Sequence, residues 1–211
     1  NLMLNAGLDT RRLAARLALL RGVDQISGVA DGLDSYSQSA AEMLAGGEVG
    51  GAFDISREPL KVRERYGAHS WGQQALLARR LAEVGVPYTL VNFNLNQKTG
   101  QDWDNHNDIF NVMKTKLLPP TDRAISALLD DLEERGLLDS TLVAVYSEFG
   151  RTPKINDKGG RDHWNQVCSV MLAGGGLKRG VVVGSSTKAG DVPKDRPTPF
   201  NDILATMYRQ M

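Results

Sequence analysis

The sequence predicts an α/β fold, a mainly parallel sheet with helices on both faces, from three observations. Stretches of helical period alternate with stretches of strand character along the chain. The run "TLVAVYS" at 141–147 is almost continuously apolar, as expected of a strand covered on both faces in the middle of a largely parallel sheet. Residues 149–166 show no helical pattern to build a crossover, so the strand expected over 167–173 should run antiparallel to its neighbours.

The elements follow in order. Leu13, Leu17 and Leu20 fall on one helical face, with Asp9 or Thr10 as the N-cap, and residues 22–34 read as loop. A short helix over 38–45 is stopped by Gly46 and Gly47. In "SREPLKVRERYG", Ser56 is the expected N-cap, Pro59 lies in the first turn and Gly67 is the stop. "GQQALLARRLAEVG" predicts a helix with an apolar stripe of Leu77, Leu81 and Val84, ended by Gly85. "PYTLVNFN" reads as a buried strand over 88–93, followed by the polar segment "LNQKTGQDWDNHND". "TDRAISALLDDLEERGLLD" is the clearest helix: Ile125, Leu128, Leu129 and Leu132 repeat with helical spacing, and Gly136 closes it. Its "DDLEERG" end reads as a solvated face with i,i+4 pairing. "QVCSVMLAGGG" and "GVVVG" are read as strands, and "PFNDILATMYRQM" as a last helix with Phe200, Ile203, Leu204 and Met207 on one face.

The 211 residues are enough for one domain with a sizeable core. Lys plus Arg and Asp plus Glu both number 25, so no broad positive field favours nucleic acid or an anionic membrane. No apolar stretch is long enough to span a membrane, and no signal peptide is visible. Cys168 sits alone in an apolar run and reads as a small buried hydrophobe. The chain opens "NLMLNAGLDT" and ends "ILATMYRQM" inside an expected helix, so both ends read as cut from something longer.

Ligands in open α/β sheets bind beyond the carboxyl ends of the strands. There, one loop delivers Asp102, Asp104 and His106, and the next delivers Glu148. Asp162 and His163 precede the returning strand, so an antiparallel return brings both loops to one sheet edge. Carboxylate plus imidazole suits Zn²⁺, Mn²⁺ or Fe²⁺. Arg151 and Arg161 flank the same place, and guanidinium groups fork onto phosphate, sulfate or carboxylate. A divalent ion with two arginines would suit hydrolysis of phosphate or sulfate esters. Each feature also has a plainer reading. Asp104 and His106 are acceptable turn formers, with Asn107 or Asp108 capping the next helix. Glu148 and Arg151 make a plausible structural ion pair, and Asp162 could orient His163 or cap a turn. Trp103 and Trp164 more often pack than stack on ligands. His69, in "RYGAHSWG", lacks neighbouring ligand types and reads as surface or core, and "AGGGLKRG" reads as tight turns.

The stretch "LLDDLEERGLLDSTLVAVYSEFGRTP" resembles the alkaline phosphatase and sulfatase superfamily. A closer resemblance is to a bacterial family of unknown function allied to it. The chain carries that family's ordered motifs: "RYG" at 65–67, "LLARRL" at 76–81, "WDNH" at 103–106, "EFGRTP" at 148–153, "GRDHW" at 160–164 and "AGGG" at 173–176. The resemblance implies a three-layer alkaline-phosphatase-like fold, with residues 1–211 forming a single, partial α/β domain, the C-terminal portion of a longer protein. It implies an extracytoplasmic setting. It also implies a divalent cofactor (zinc, manganese, magnesium or calcium) on Asp104, His106, Glu148 and His163. Asp102 and Asp162 would support that site, and Arg151 and Arg161 would hold an anionic ester. Phe149 stands where the superfamily has a metal-binding histidine, which argues against a complete two-metal site. Two functions follow as expectations: a metal-dependent hydrolase relative acting on phosphate or sulfate esters, or a non-catalytic binding or assembly protein with a degenerate site.

Overall fold

The computed structural model describes Ala15, residues 48–94 and residues 103–210. The elements expected over Leu13–Leu20, 22–34 and 38–45 lie outside these residues, as does Asp102. Helix α1 (Glu48–Ala52) and a 3-10 turn at Ile55–Arg57 lead into α2 (Leu60–Tyr66) and α3 (Ser70–Glu83). Ser56 does not cap α2: it lies inside the 3-10 turn, where Asp54 accepts from Ser56 N at 3.1 Å, and the cap position of α2 is Pro59, which makes no side-chain cap bond. Gly67, at φ 92, ends α2 as expected. His69 caps α3, with Nδ1 accepting from Gly72 N at 3.0 Å. Burial, followed by the charge of Arg123, pushes the pKa of His69 down, which suits a ring nitrogen that must accept.

Helix α4 (Ile109–Val112), a π-helical turn at Met113–Leu117 and α5 (Leu118–Glu134) form one continuous helical run. It begins well before Thr121. Pro119 and Pro120 fall in the first turn of α5, directly after the π turn, where a missing N–H is tolerated.

Helices α2, α3 and α5 pack on one another around Tyr66, Ala75, Leu76, Ala124 and Ala127. A second cluster of Trp71, Val112 and Leu117 adjoins it, and Phe93 packs against both. The buried faces differ from the apolar stripes. Helix α3 buries Trp71, Ala75, Leu76, Arg79 and Leu81, and α5 buries Ala124, Ala127, Asp131 and Leu132. Charge pairing explains the rotation. Arg79 is fully buried, yet Nε lies 2.8 Å from Asp131, Nη2 2.8 Å from Glu58 and Nη1 2.6 Å from Glu83. Tyr66 Oη donates to Asp131 at 2.9 Å and Arg135 Nε donates to its other oxygen at 2.8 Å. Burial alone would raise the pKa of Asp131; the bonds from Arg135 and Tyr66 and the charge of Arg79 outweigh it and hold the group low. The acidic end of α5 is therefore not wholly a solvated face.

The strands form three two-stranded antiparallel ladders: β1 (Leu142–Val145) with β4 (Met171–Gly174), β2 (Gly150–Arg151) with β3 (His163–Trp164), and β5 (Ser185–Ser186) with β6 (Pro193–Asp195). No parallel pair occurs among the described residues. The returning strand is antiparallel to β1, in register Leu142↔Gly174 to Val145↔Met171, and starts at Met171 rather than 167. Cys168 precedes it and is exposed, not buried. Residues 87–94 pair with no strand among the described residues. Tyr88 and Leu90 are exposed, and the segment is held instead through Phe93 and Asn94. "GVVVG" forms no ladder: Val182 is exposed, and pairing begins one step later at Ser185. The last helix, α6 (Phe200–Gln210), has no buried residue; Ile203, Leu204 and Met207 are half-buried and Phe200 is exposed. No helix of the described residues is long and apolar enough to cross a membrane.

Candidate metal centre

Two loops meet beside this helical core. The first is anchored by Trp103, whose ring stacks 6.0 Å from Trp71 and whose Nε1 donates to Phe93 O at 2.7 Å. Its next residues are therefore presented from the core's edge. Asn105 is buried and closes a turn by accepting from Asn107 N at 3.0 Å. The second loop, 152–162, is stitched to the first by backbone. Asp108 N donates to Lys158 O, and Ile109 N donates to Gly159 O at 3.0 Å. Gly160 lies against the first loop, where a Cβ would sit 2.0 Å from the carbonyl carbon of His106. Only glycine permits that approach.

The β2–β3 ladder brings in the remaining groups. Arg151 pairs directly with His163, and directly opposed residues present side chains on the same face. Gly150 opposes Trp164, and a Cβ there would lie 1.7 Å from Val167 O. Trp164 Nε1 donates to Asp191 O at 2.6 Å.

The result is a cluster centred on Asp104 Oδ1. His163 Nε2 is 2.7 Å from it, His106 Nε2 3.0 Å and Arg151 Nη1 2.8 Å. One ligand atom from each of Asp104, His106 and His163 lies within 4.8 Å of the others, so the three could hold one metal ion. On its far side, His106 Nδ1 lies 2.7 Å from Asp162 Oδ1. Donation there leaves Nε2 directed at Asp104 and His163. Asn156 Nδ2 donates to the same Asp162 oxygen and to His106 O, each at 3.1 Å. Carboxylate behind imidazole is the arrangement that orients histidine ligands in metal sites. Asp162 therefore orients His106, not His163. Phe149 supplies the wall: its ring is 4.4 Å from that of His163, and the Arg151 guanidinium lies 5.7 Å from it.

The hydrogen bond with His163, and then Arg151, lowers the pKa of Asp104 to about 2. Relative to an ordinary carboxyl near ~3.9, this interaction is at full strength above pH ~4 and is lost as pH falls toward the folded value. A carboxyl-carbon NMR titration should place the midpoint of Asp104 at about 2. A midpoint at the ordinary value would mean that the cluster does not form in solution. Asp104 is 63% exposed, so solvent screening keeps its effect on stability small.

The remaining expected residues are used differently. Glu148 is exposed, makes no hydrogen bond or ion pair among the described residues, and is not one of the three grouped ligands. Its expected ion pair with Arg151 is replaced by the pair of Arg151 with Asp104. Arg161 Nη1 donates to Thr152 O at 2.5 Å and Pro153 O at 2.8 Å, so this arginine braces the loop. Asn156 is the supporting residue of this site, and it is also a turn former. It accepts from Lys158 N and Gly160 N, and nothing local marks its second task of holding Asp162.

No curated protein and no solved structure matches the chain. The family described as "Protein of unknown function (DUF1501)" matches residues 1–211, so the chain belongs to that family.

Proposed function

We propose that this chain carries a single-metal centre on Asp104, His106 and His163, and that the centre serves hydrolysis of phosphate or sulfate esters. The observation that carries the reading is the oriented His106: carboxylate support on Nδ1, with Nε2 facing Asp104 and His163. The donor set fits a divalent ion. Bonds of about 2.0–2.2 Å set tetrahedral ligand atoms roughly 3.3–3.6 Å apart, so the 2.7 and 3.0 Å separations of Asp104 from the two imidazoles would lengthen slightly. Two imidazoles and one carboxylate favour zinc, manganese or iron(II) over magnesium and calcium, which prefer all-oxygen shells. Three protein ligands leave positions open for water and substrate, as catalytic sites do.

What a divalent ion supplies in such a place is polarisation of an ester oxygen and acidification of water. The chain's own residues do the rest. Asp162 and Asn156 hold His106 in its binding orientation. Phe149 backs His163 and offers no ligand atom, which favours one ion over two. Arg151 supplies positive charge for the ester anion. The antiparallel return of β4 and the meeting of the two loops also support kinship with the alkaline phosphatase and sulfatase superfamily and its three-layer fold.

A non-catalytic binding or assembly role draws on one observation: Arg151 already neutralises Asp104. Metal binding separates the two. Zinc and manganese titrations of the intact protein should show one ion per chain at micromolar affinity or better, and His106→Ala with His163→Ala should abolish it. Asp162→Asn should weaken binding by about 10–100-fold, the usual effect of losing such a supporting partner. No binding by the intact protein would sink the metal reading and leave the cluster structural.

A further inference from the structure

Asp104 Oδ1 is shared by three partners. Two are the imidazoles that a metal ion would bridge; the third is Arg151, at 2.8 Å. Arg151 Nη1 is buried and is held against that oxygen as an ion pair. An ion bound among Asp104, His106 and His163 needs that oxygen, and its charge repels a guanidinium beside it. Arg151 cannot withdraw far, because its backbone is paired with His163 in the β2–β3 ladder. Its side chain lies beside Phe149, which leaves it at the rim of the centre. A guanidinium that has lost its carboxylate there is a fork for two oxygens of a tetrahedral oxyanion.

We propose that Arg151 is a latch: it pairs with Asp104 while the centre lacks metal, is released when metal takes Asp104, and then binds a tetrahedral oxyanion. The proposal rests on the single-metal reading above and adds an order of events. Metal binding is opposed by the Arg151–Asp104 pair and favoured by an oxyanion that engages the freed guanidinium. Metal and oxyanion therefore bind with positive coupling, and the coupling is reciprocal.

The test is calorimetric zinc titration of the intact protein in chloride buffer, repeated with saturating sulfate and with inorganic phosphate, for wild type and Arg151→Gln. The zinc Kd of the wild type should fall by about tenfold with at least one oxyanion, within the usual range of coupling between sites. Response to one oxyanion alone supports the latch and identifies the class of ester recognised. Arg151→Gln should lose the response, and without oxyanion it should bind zinc as tightly as wild type or more tightly. Weaker zinc binding by Arg151→Gln in chloride would overturn the latch, because Arg151 would then be supporting the metal site. A response that persists in Arg151→Gln also overturns it, since the anion would be acting on the metal directly. Wild-type zinc binding indifferent to both oxyanions refutes the latch alone, and this arm needs no variant. Absence of zinc binding by the wild type refutes the metal centre and the latch together.

Discussion

Replacing Arg79 by leucine is expected to destabilise the protein by about 3–5 kcal/mol, the cost of removing one partner from a buried ion pair. The guanidinium is fully buried and meets three carboxylates. Two of these, Glu58 and Asp131, are themselves almost buried. Leucine would leave them desolvated with less compensation, and it cannot restore the link between α3, α5 and the segment before α2. Arg80 still reaches Glu58 and Arg135 still reaches Asp131, which places the expected loss toward the lower end. Against a total stability of about 5–15 kcal/mol, this is a large fraction. The check is the urea midpoint of the variant. A loss below about 1 kcal/mol, the scale of an exposed pair, would mean that the cluster is not buried in solution. Arg79→Leu combined with Asp131→Leu should recover part of the loss, because it removes a carboxylate left short of partners.

Gly160→Ala is expected to dismantle the proposed metal centre while leaving the helical core folded. An added Cβ would lie 2.0 Å from the carbonyl carbon of His106, 2.1 Å from its oxygen and 2.4 Å from Asn107 N. All three are backbone atoms, so no side-chain rotation relieves the clash. The loops must separate by an ångström or more, moving Asp104 and His106 together away from Asp162 and His163. Overpacking of this kind costs about 1–3 kcal/mol, and a displacement of about 1 Å lowers the performance of a site by roughly a hundredfold. Zinc affinity should therefore fall by about that factor while far-UV circular dichroism stays unchanged. Gly50→Ala is the control: nothing lies within 4 Å of a Cβ there, and alanine favours the helix. Unaltered zinc binding by Gly160→Ala would show that the loops do not meet as described.

The candidate donor set of Asp104, His106 and His163 was legible in the sequence because it depends on residue type at loop positions. "WDNH" and "GRDHW" place Asp104, His106, Asp162 and His163 beside elements whose ends lie together. The antiparallel return of β4 was legible for a related reason: 149–166 has no helical period, so it cannot carry a parallel crossover. The gaps in the reading also have local causes. Apolar periodicity located α3 and α5 but misplaced their buried faces, because the pattern counts Arg79 and Asp131 as outward-facing. Likewise "PYTLVNFN" has strand composition, but composition supplies no ladder partner.

By itself, then, the sequence located α2, α3, α6 and most of α5 and named the donor atoms available, but not α1 or the helical turns before α5. The tertiary structure alone decided their partners. Arg151 meets Asp104 rather than Glu148, Asp162 supports His106 rather than its neighbour His163, and Arg79 is buried among carboxylates. The physical reason is distance along the chain. The Arg151 pair depends on the register of β2 with β3, the Asp162 pair on a glycine that lets two loops touch, and the Arg79 cluster on how two helices pack. None of these pairings is set by the few residues around either partner.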